Sequence, residues 1–384
     1  MPYPHIHIDF SQVPSPCYVL EEARLRANLE VLDRVQREAG VKVICALKGF
    51  SMWSTFPIVR EYLPGATASS LNEALLAHQK MGGEIHVYAP AYREAEIGQI
   101  LDLADHISFN SFAQWLRFRE RVLAHPRHPS PGLRVNPGFS EVEVELYNPC
   151  APGSRLGIPL EEFRPELLEG IEGLHFHALC EQNVGVLEKV LQAFEARFGR
   201  FISKMKWINF GGGHHITRED YDVDRLIQVL RAFRARYPQV QMILEPGEAV
   251  GWRTGELVST VEDIVRNGME IAILDVSVSA HMPDCLEMPY RPQIIGGEEP
   301  EKLPYTYRLG GGTCLAGDVV GDYSFATPLQ VGNRIIFLDM IHYTMVKTTF
   351  FNGVHHPSIG IWGRDSRFRL VREFTYEQFR DKLS

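Results

Sequence analysis

The sequence predicts an α/β fold: a (β/α)8 barrel followed by a mostly β domain. Two patterns and one count point there. Over residues 20–250, short apolar runs alternate with amphipathic helical stretches, as in parallel βαβ units. Beyond Val250 the helical period fades, and strand-like runs are separated by Gly, Pro and Asn turns. The apolar runs number eight, the count of a closed barrel. An open doubly wound sheet is the alternative, but no G-x-G-x-x-G follows the first strand.

In chain order, Leu25, Leu29, Leu32 and Val35 recur on one face of a helix over Glu21–Ala39, which Gly40 stops. The first strand is Val43–Lys48 and the second Ala66–Ser69. Ser70-Leu71-Asn72-Glu73 reads as the capping box of a helix that ends at Gly82-Gly83. Strands Ile85–Ala89, His106–Asn110, Leu133–Asn136 and Gly173–His177 follow. A helix near Val186–Ser203 precedes strand Trp207–Gly211, and a helix near Asp222–Arg236 precedes strand Met242–Glu245. The later strand-like runs include Glu256–Val265, Ile271–Val278 and Arg334–Leu338. The expected division is a barrel at 15–247 and a β domain at 248–384, with residues 1–14 joining the latter.

The chain has 384 residues, of which 45% are apolar, enough for a substantial core. With 39 Lys+Arg against 48 Asp+Glu, the net charge is −9. That balance argues against a nucleic-acid binder and against docking on an anionic membrane. It is compatible with a cationic small-molecule partner. The six cysteines form no C-x-x-C pair and read as free thiols in a reducing cytoplasm. Met1-Pro2-Tyr3-Pro4-His5 opens no signal peptide, and no apolar run approaches a membrane span.

Barrel enzymes place their chemistry at the C-terminal ends of the strands. Lys48 ends the first strand, with Ile44 and Ala46 on its side; burial there would favour a neutral, nucleophilic amine. Taken alone, a lysine just past a strand is more often a surface residue. Gly211-Gly212-Gly213 follows strand seven, where this fold commonly binds phosphate and where bare backbone lets N–H groups approach an anion. Glu245 ends strand eight and could hold a protonated pyridine nitrogen. His175 and His177 share a face at the end of strand six. A lysine, a glycine run, a histidine and a glutamate at four strand ends are together the parts that pyridoxal phosphate requires.

These residues resemble the fold-type III pyridoxal-phosphate decarboxylases, the alanine racemase-like group that includes ornithine and diaminopimelate decarboxylases. The resemblance rests on Ala46-Leu47-Lys48-Gly49, Ala68-Ser69-Ser70-Leu71-Asn72-Glu73, His175-Phe176-His177, Asn209-Phe210-Gly211-Gly212-Gly213, Glu245-Pro246-Gly247-Glu248, Thr313-Cys314-Leu315-Ala316-Gly317-Asp318 and Phe351-Asn352-Gly353, in that order. The branch it resembles most decarboxylates carboxynorspermidine and carboxyspermidine in bacterial polyamine synthesis.

The resemblance implies that Lys48 bonds pyridoxal 5'-phosphate, His177 stacks on its ring, Gly211–Gly213 and Tyr343 hold its phosphate, and Glu245 partners the pyridine nitrogen. It implies that Cys314 comes from the neighbouring subunit of a homodimer with shared active sites and returns a proton to carbon. Asp275 matches a substrate-amine carboxylate. Glu248 stands where relatives carry arginine, since the usual E-P-G-R is Glu245-Pro246-Gly247-Glu248 here, and it becomes a candidate for a substrate amine with Asp284 and Asp318. No metal ligand is assigned. Tyr290-Arg291-Pro292 faintly echoes a carboxylate-binding arginine of diaminopimelate decarboxylases and keeps that activity as the alternative. Two other classes are weighed: a metal-dependent barrel hydrolase, from His5-Ile6-His7 and His175-Phe176-His177, and a non-catalytic pyridoxal-phosphate carrier. The hydrolase leaves Lys48 and the glycine run unexplained, and the carrier leaves Cys314 and its domain unexplained.

Overall fold

All eight apolar runs form strands of one parallel sheet. After an N-terminal strand β1 (Cys17–Glu21) come β2 (Lys42–Val43), β3 (Cys45–Ala46), β4 (Gly65–Ala68), β5 (Glu84–Tyr88), β6 (His106–Phe109), β7 (Ser130–Arg134), β8 (Gly173–His175), β9 (Trp207–Asn209) and β10 (Gln241–Leu244). β2 and β3 are halves of the first expected strand, interrupted at Ile44. β2 pairs with β10 and β3 with β4, both parallel, so the split strand closes the ring. Ile44 N donates to Leu244 O at 2.9 Å across the seam. The computed structural model describes residues 5–142 and 144–384, the side chain of Leu146 apart. The reading of the chain start for a signal peptide falls partly on residues 1–4, which lie outside the described residues.

Alternate residues of neighbouring strands meet inside the ring, as the two-residue period of a strand requires. Arg134 lies 4.6 Å over the Tyr88 ring, and Trp207 meets His106 edge-on at 5.2 Å. Toward the strand starts the Trp207 indole fills the ring. A Cβ on Gly173 would fall 2.1 Å from the indole and one on Gly132 2.3 Å, so neither position has room for a side chain. Trp207 Nε1 donates to Ser130 Oγ at 2.8 Å.

The helices bury the faces that the sequence marks. Leu25, Leu29, Leu32 and Val35 of helix Glu22–Ala39 are fully buried. So are Leu187, Val190, Phe194 and Phe198 of Val184–Ile202, and Leu226, Leu230 and Phe233 of Val223–Arg236. Each such side chain contributes roughly 1.5–3 kcal/mol relative to exposure. Asp222 caps the last of these helices, accepting from Arg225 N at 2.8 Å. At the second strand's end, Ser70 Oγ accepts from Glu73 N at 3.2 Å, as the capping box expects. The return bond falls one residue earlier: Glu73 Oε2 accepts from Ser69 N at 2.6 Å.

The chain divides into two units. Ala27–Val250 holds the barrel; the other joins the N-terminal segment through Arg26 to Gly251–Ser384. This second unit is a mixed sheet of β1 with β11 (Gly255–Arg266), β12 (Glu270–Leu274), β13 (Gly297–Glu298), β14 (Tyr305–Gly310), β15 (Val319–Phe325), β16 (Arg334–Phe337), β17 (Ser358–Trp362) and β18 (Phe368–Arg372). The order is β13-β15-β14-β12-β11-β1-β17-β18, with β16 also on β11. β1 runs antiparallel to β11 and parallel to β17. Ile8, Val13, Cys17, Val19, Val258, Ile336 and Trp362 form one core cluster of this unit. Buried Arg24 bridges two buried carboxylates, with Nε 2.8 Å from Glu21 and Nη2 2.7 Å from Glu256. All six cysteines are free thiols. Among the described residues no helix is long and apolar enough to cross a membrane.

Candidate active site

Beyond β3 the chain turns tightly, with Gly49 N and Phe50 N both donating to Ala46 O. This leaves Lys48 at the C-terminal mouth of the barrel. A Cβ on Gly49 would lie 2.7 Å from Glu248 N, so this turn packs backbone to backbone against the segment after β10. Lys48 is solvent-accessible, not enclosed among apolar groups as the strand pattern suggests. Its pKa is nonetheless lowered, first by the loss of hydration between the strand ends, then by the Arg134 cation. Cys180, Glu245 and Glu73 pull the other way.

Glu245 follows β10 and is buried. Asn209 Nδ2 donates to its Oε1 at 2.6 Å, and His175 Nε2 lies 3.7 Å from Oε2. Burial raises its pKa; bonds from Asn209 and Thr67 and the cations of Arg134 and Lys48 oppose that rise. A proton carried by a bound group would relieve this charge, so the site suits a protonated nitrogen.

The glycine run passes between the ends of β8 and β10. Gly211 and Gly213 have φ of +69° and +84°, which only glycine adopts at little cost. A Cβ on Gly212 would lie 2.2 Å from Glu245 O. Gly212 N donates to His177 Nδ1 at 3.1 Å, which fixes that nitrogen as an acceptor. Burial, then the Lys48 and Arg134 cations, hold the His177 pKa well below its ordinary value. The ring is therefore neutral, as a flat partner for an aromatic group should be. A lysine biased toward the free amine, a glycine turn packed backbone to backbone beyond the ends of β8 and β10, a neutral imidazole and a buried acid converge here. This donor set fits a small aromatic cofactor with an anionic tail.

Four contributors escaped the reading of strand ends. Arg134 Nη2 donates to His177 O at 3.2 Å and its charge reaches Lys48, His177 and Glu245. Tyr88 lies under Arg134 and donates to Asn110 Oδ1 at 2.7 Å. Asn209 orients Glu245. His215 Nε2 stands 3.0 Å from Glu248 Oε2. The available signal was alternation: Ser130, Gly132 and Arg134 share a face, and an arginine facing into a barrel is costly without a purpose.

Lys48, His177, Gly211–Gly213, Glu245 and Glu248 all belong to the barrel unit, and the remaining candidates to the other. Cys314 is exposed, its N–H donating to Asn352 Oδ1 at 2.8 Å. Asp318 is buried and anchors that loop: Oδ2 accepts from Thr313 N and Oγ1, and Oδ1 from Ser277 Oγ and Ser279 N. Asp275 accepts from Ser259 Oγ, Thr260 N and Ser15 Oγ, bonds that tie β11 to the N-terminal segment. Asp284, buried, pairs with Lys347 Nζ at 2.5 Å, and that ammonium lies 5.4 Å over the Tyr343 ring. Tyr343 opens a short helix, Tyr343–Val346.

The family model described as pyridoxal-dependent decarboxylase, C-terminal sheet domain, matches residues 17–341. The chain is 50% identical over 374 residues to a carboxyaminopropylagmatine decarboxylase of Synechocystis sp., covering 97% of this chain and 96% of the relative. It is 47% identical over 381 residues to a carboxynorspermidine/carboxyspermidine decarboxylase of Campylobacter jejuni, covering 96% and 98%. The crystal structure of carboxynorspermidine decarboxylase complexed with norspermidine, also from C. jejuni, superimposes with a TM-score of 0.90 at 45% identity, over 96% of this chain and all of that one. A diaminopimelate decarboxylase shares the fold, with a TM-score of 0.83 at 18% identity over 98% of this chain and 95% of the other. This chain belongs to the pyridoxal-dependent decarboxylase family.

Proposed function

We propose that the protein decarboxylates carboxynorspermidine to norspermidine and carboxyspermidine to spermidine, using pyridoxal 5'-phosphate, as a cytoplasmic homodimer. The observation that carries the reading is the convergence of Lys48, Gly211–Gly213, His177 and Glu245 at one barrel mouth. The substrate follows the names of relatives near half identity, one of them seen with norspermidine.

When bound, the cofactor supplies an electron sink for the pair left by departing carbon dioxide. Lys48, biased toward its free amine, is the residue that would hold it covalently. The side-chain-free turn Gly211–Gly213 would lie against the phosphate, with Tyr343 as a further donor. His177 would lie against the ring, and Glu245 would hold a proton on the ring nitrogen. Cys314, supplied by the neighbouring subunit, gives a proton to the carbon that has lost its carboxylate. Glu248 receives a substrate ammonium, which must find an acceptor as it leaves water. Asp284 is a further acceptor if Lys347 gives way; Asp275 and Asp318 hold loops of their own unit.

A second reading has its own support: the relative at 50% identity is named for a carboxylated agmatine, whose distal group is a guanidinium. The test is carbon dioxide release from carboxynorspermidine, carboxyspermidine, carboxyaminopropylagmatine, diaminopimelate, ornithine and arginine side by side. The proposal expects the highest kcat/KM for one of the two carboxylated polyamines with a distal amine. A preference for the guanidinium substrate would establish the second reading, and a preference for diaminopimelate would overturn both.

A further inference from the structure

At the opposite end of the barrel from Lys48, three side chains converge that no step of the proposed reaction uses. Glu84 and His106 start β5 and β6, and His86 is paired in register with His106. Glu84 and His86 are two residues apart on one strand, so they face the same way. His86 Nε2 lies 2.9 Å from Glu84 Oε1 and 2.8 Å from His106 Nδ1, while His106 Nδ1 lies 3.2 Å from Glu84 Oε1. Three potential ligand atoms therefore form a nearly equilateral triangle.

Protons satisfy at most two edges of this triangle. Each ring nitrogen carries at most one hydrogen, and an N–H serves one edge. With one N–H present, at least one edge sets lone pair against lone pair. With two, both N–H groups donate to Glu84 Oε1, and the two ring nitrogens stand 2.8 Å apart with no hydrogen bond between them. A cation above the triangle instead accepts a lone pair from every corner. Bonds of about 2.1 Å at right angles give ligand spacings of about 3.0 Å, which matches the three edges.

We propose that Glu84, His86 and His106 form a facial two-histidine, one-carboxylate site for a divalent first-row transition-metal ion at the N-terminal mouth of the barrel. Water completes the coordination. His86 is enclosed, but the His106 and Glu84 side chains are 17% and 22% exposed, leaving one side open for the ion and its water. Trp207, edge-on to His106 at 5.2 Å, supplies an apolar wall. Lys42 sets the affinity: its ammonium is 2.6 Å from Glu84 Oε2 and 2.8 Å from Oε1. It neutralises the carboxylate when the ion is absent and repels the ion when it is present. The site ties β5 to β6 at the end where this fold keeps residues for stability, not catalysis.

The test is equilibrium dialysis of chelator-treated, cofactor-loaded protein against micromolar Zn2+, with metal counted by mass spectrometry. Cobalt(II) serves as a spectroscopic probe of the ligands. The proposal expects about one Zn2+ per chain, at least tenfold weaker binding in His106→Gln, and tighter binding in Lys42→Gln. Cofactor absorbance and decarboxylase activity should be unchanged in both variants. Cobalt should give visible d–d bands in the wild type that His106→Gln lacks. His86→Gln should behave likewise if it folds; if it does not, His106→Gln and the cobalt spectrum decide alone. No retained ion in the wild type, or equal retention in His106→Gln, would overturn the site.

Discussion

Glu248 Oε2 lies 3.0 Å from Nε2 of His215, so the carboxylate in the place of the family's arginine is paired with a histidine just past the glycine run. A charge-assisted contact to substrate is worth about 1.5–3 kcal/mol. Glu248→Gln is therefore expected to lower kcat/KM roughly ten- to a hundredfold, with cofactor occupancy near wild type. His215→Gln, which frees the carboxylate to turn, should cost less. Loss of cofactor from Glu248→Gln with KM for the polyamine unchanged would instead assign the pair to the phosphate region.

Lys48 is the lysine to be trapped by borohydride reduction, and peptide mapping should find the pyridoxyl label there. Lys42 and Lys347 are poor competitors, because each holds its ammonium against carboxylates. The lowered pKa gives a sign to the pH dependence. Attachment needs the neutral amine, so the rate of cofactor uptake by apoprotein should rise with pH and level off below the ordinary lysine value of about 10.4. Arg134→Gln removes one cause of the shift and should move that midpoint upward. A label on Lys42 or Lys347 would refute the assignment.

How much of this was legible in sequence follows from the range of each signal. The eight barrel strands were, because alternation and apolar runs are local. The split at Ile44 was not, since it follows from closing the ring between β10 and β4. Lys48, the glycine run and Glu245 stood at strand ends, where barrel chemistry is sought. Arg134 lies inside the expected strand Leu133–Asn136, whereas in the structure it ends β7. Asp275 reads as a free acid until Ser15, 260 residues earlier, is seen to donate to it. No local pattern announces such a partner.

The Arg24 bridge in the second unit carries a stability prediction. Glu21 and Glu256 are both fully buried and share this one guanidinium, which also donates to Arg253 O at 2.7 Å. Arg24→Met leaves two carboxylates without it, and breaking a buried pair costs about 3–5 kcal/mol. Urea denaturation should show that loss. A change below about 1 kcal/mol would mean that the carboxylates find other partners or water.

Cys314 and Lys48 are proposed to complete one site from two subunits. Inactive Lys48→Ala and Cys314→Ala proteins, mixed and allowed to exchange, should recover part of the wild-type activity, because a hybrid dimer contains one intact pair. No recovery after exchange has been verified by mass would place both residues of a site in one chain.

The most direct test of decarboxylation is turnover of carboxynorspermidine in deuterium oxide, with the product examined by mass spectrometry and NMR. Replacing a carboxylate by a solvent-derived proton at one carbon predicts norspermidine carrying a single non-exchangeable deuterium at that carbon, formed in equal amount with carbon dioxide. Norspermidine without deuterium, a hydrolytic fragment, or recovered substrate with no carbon dioxide would contradict the account.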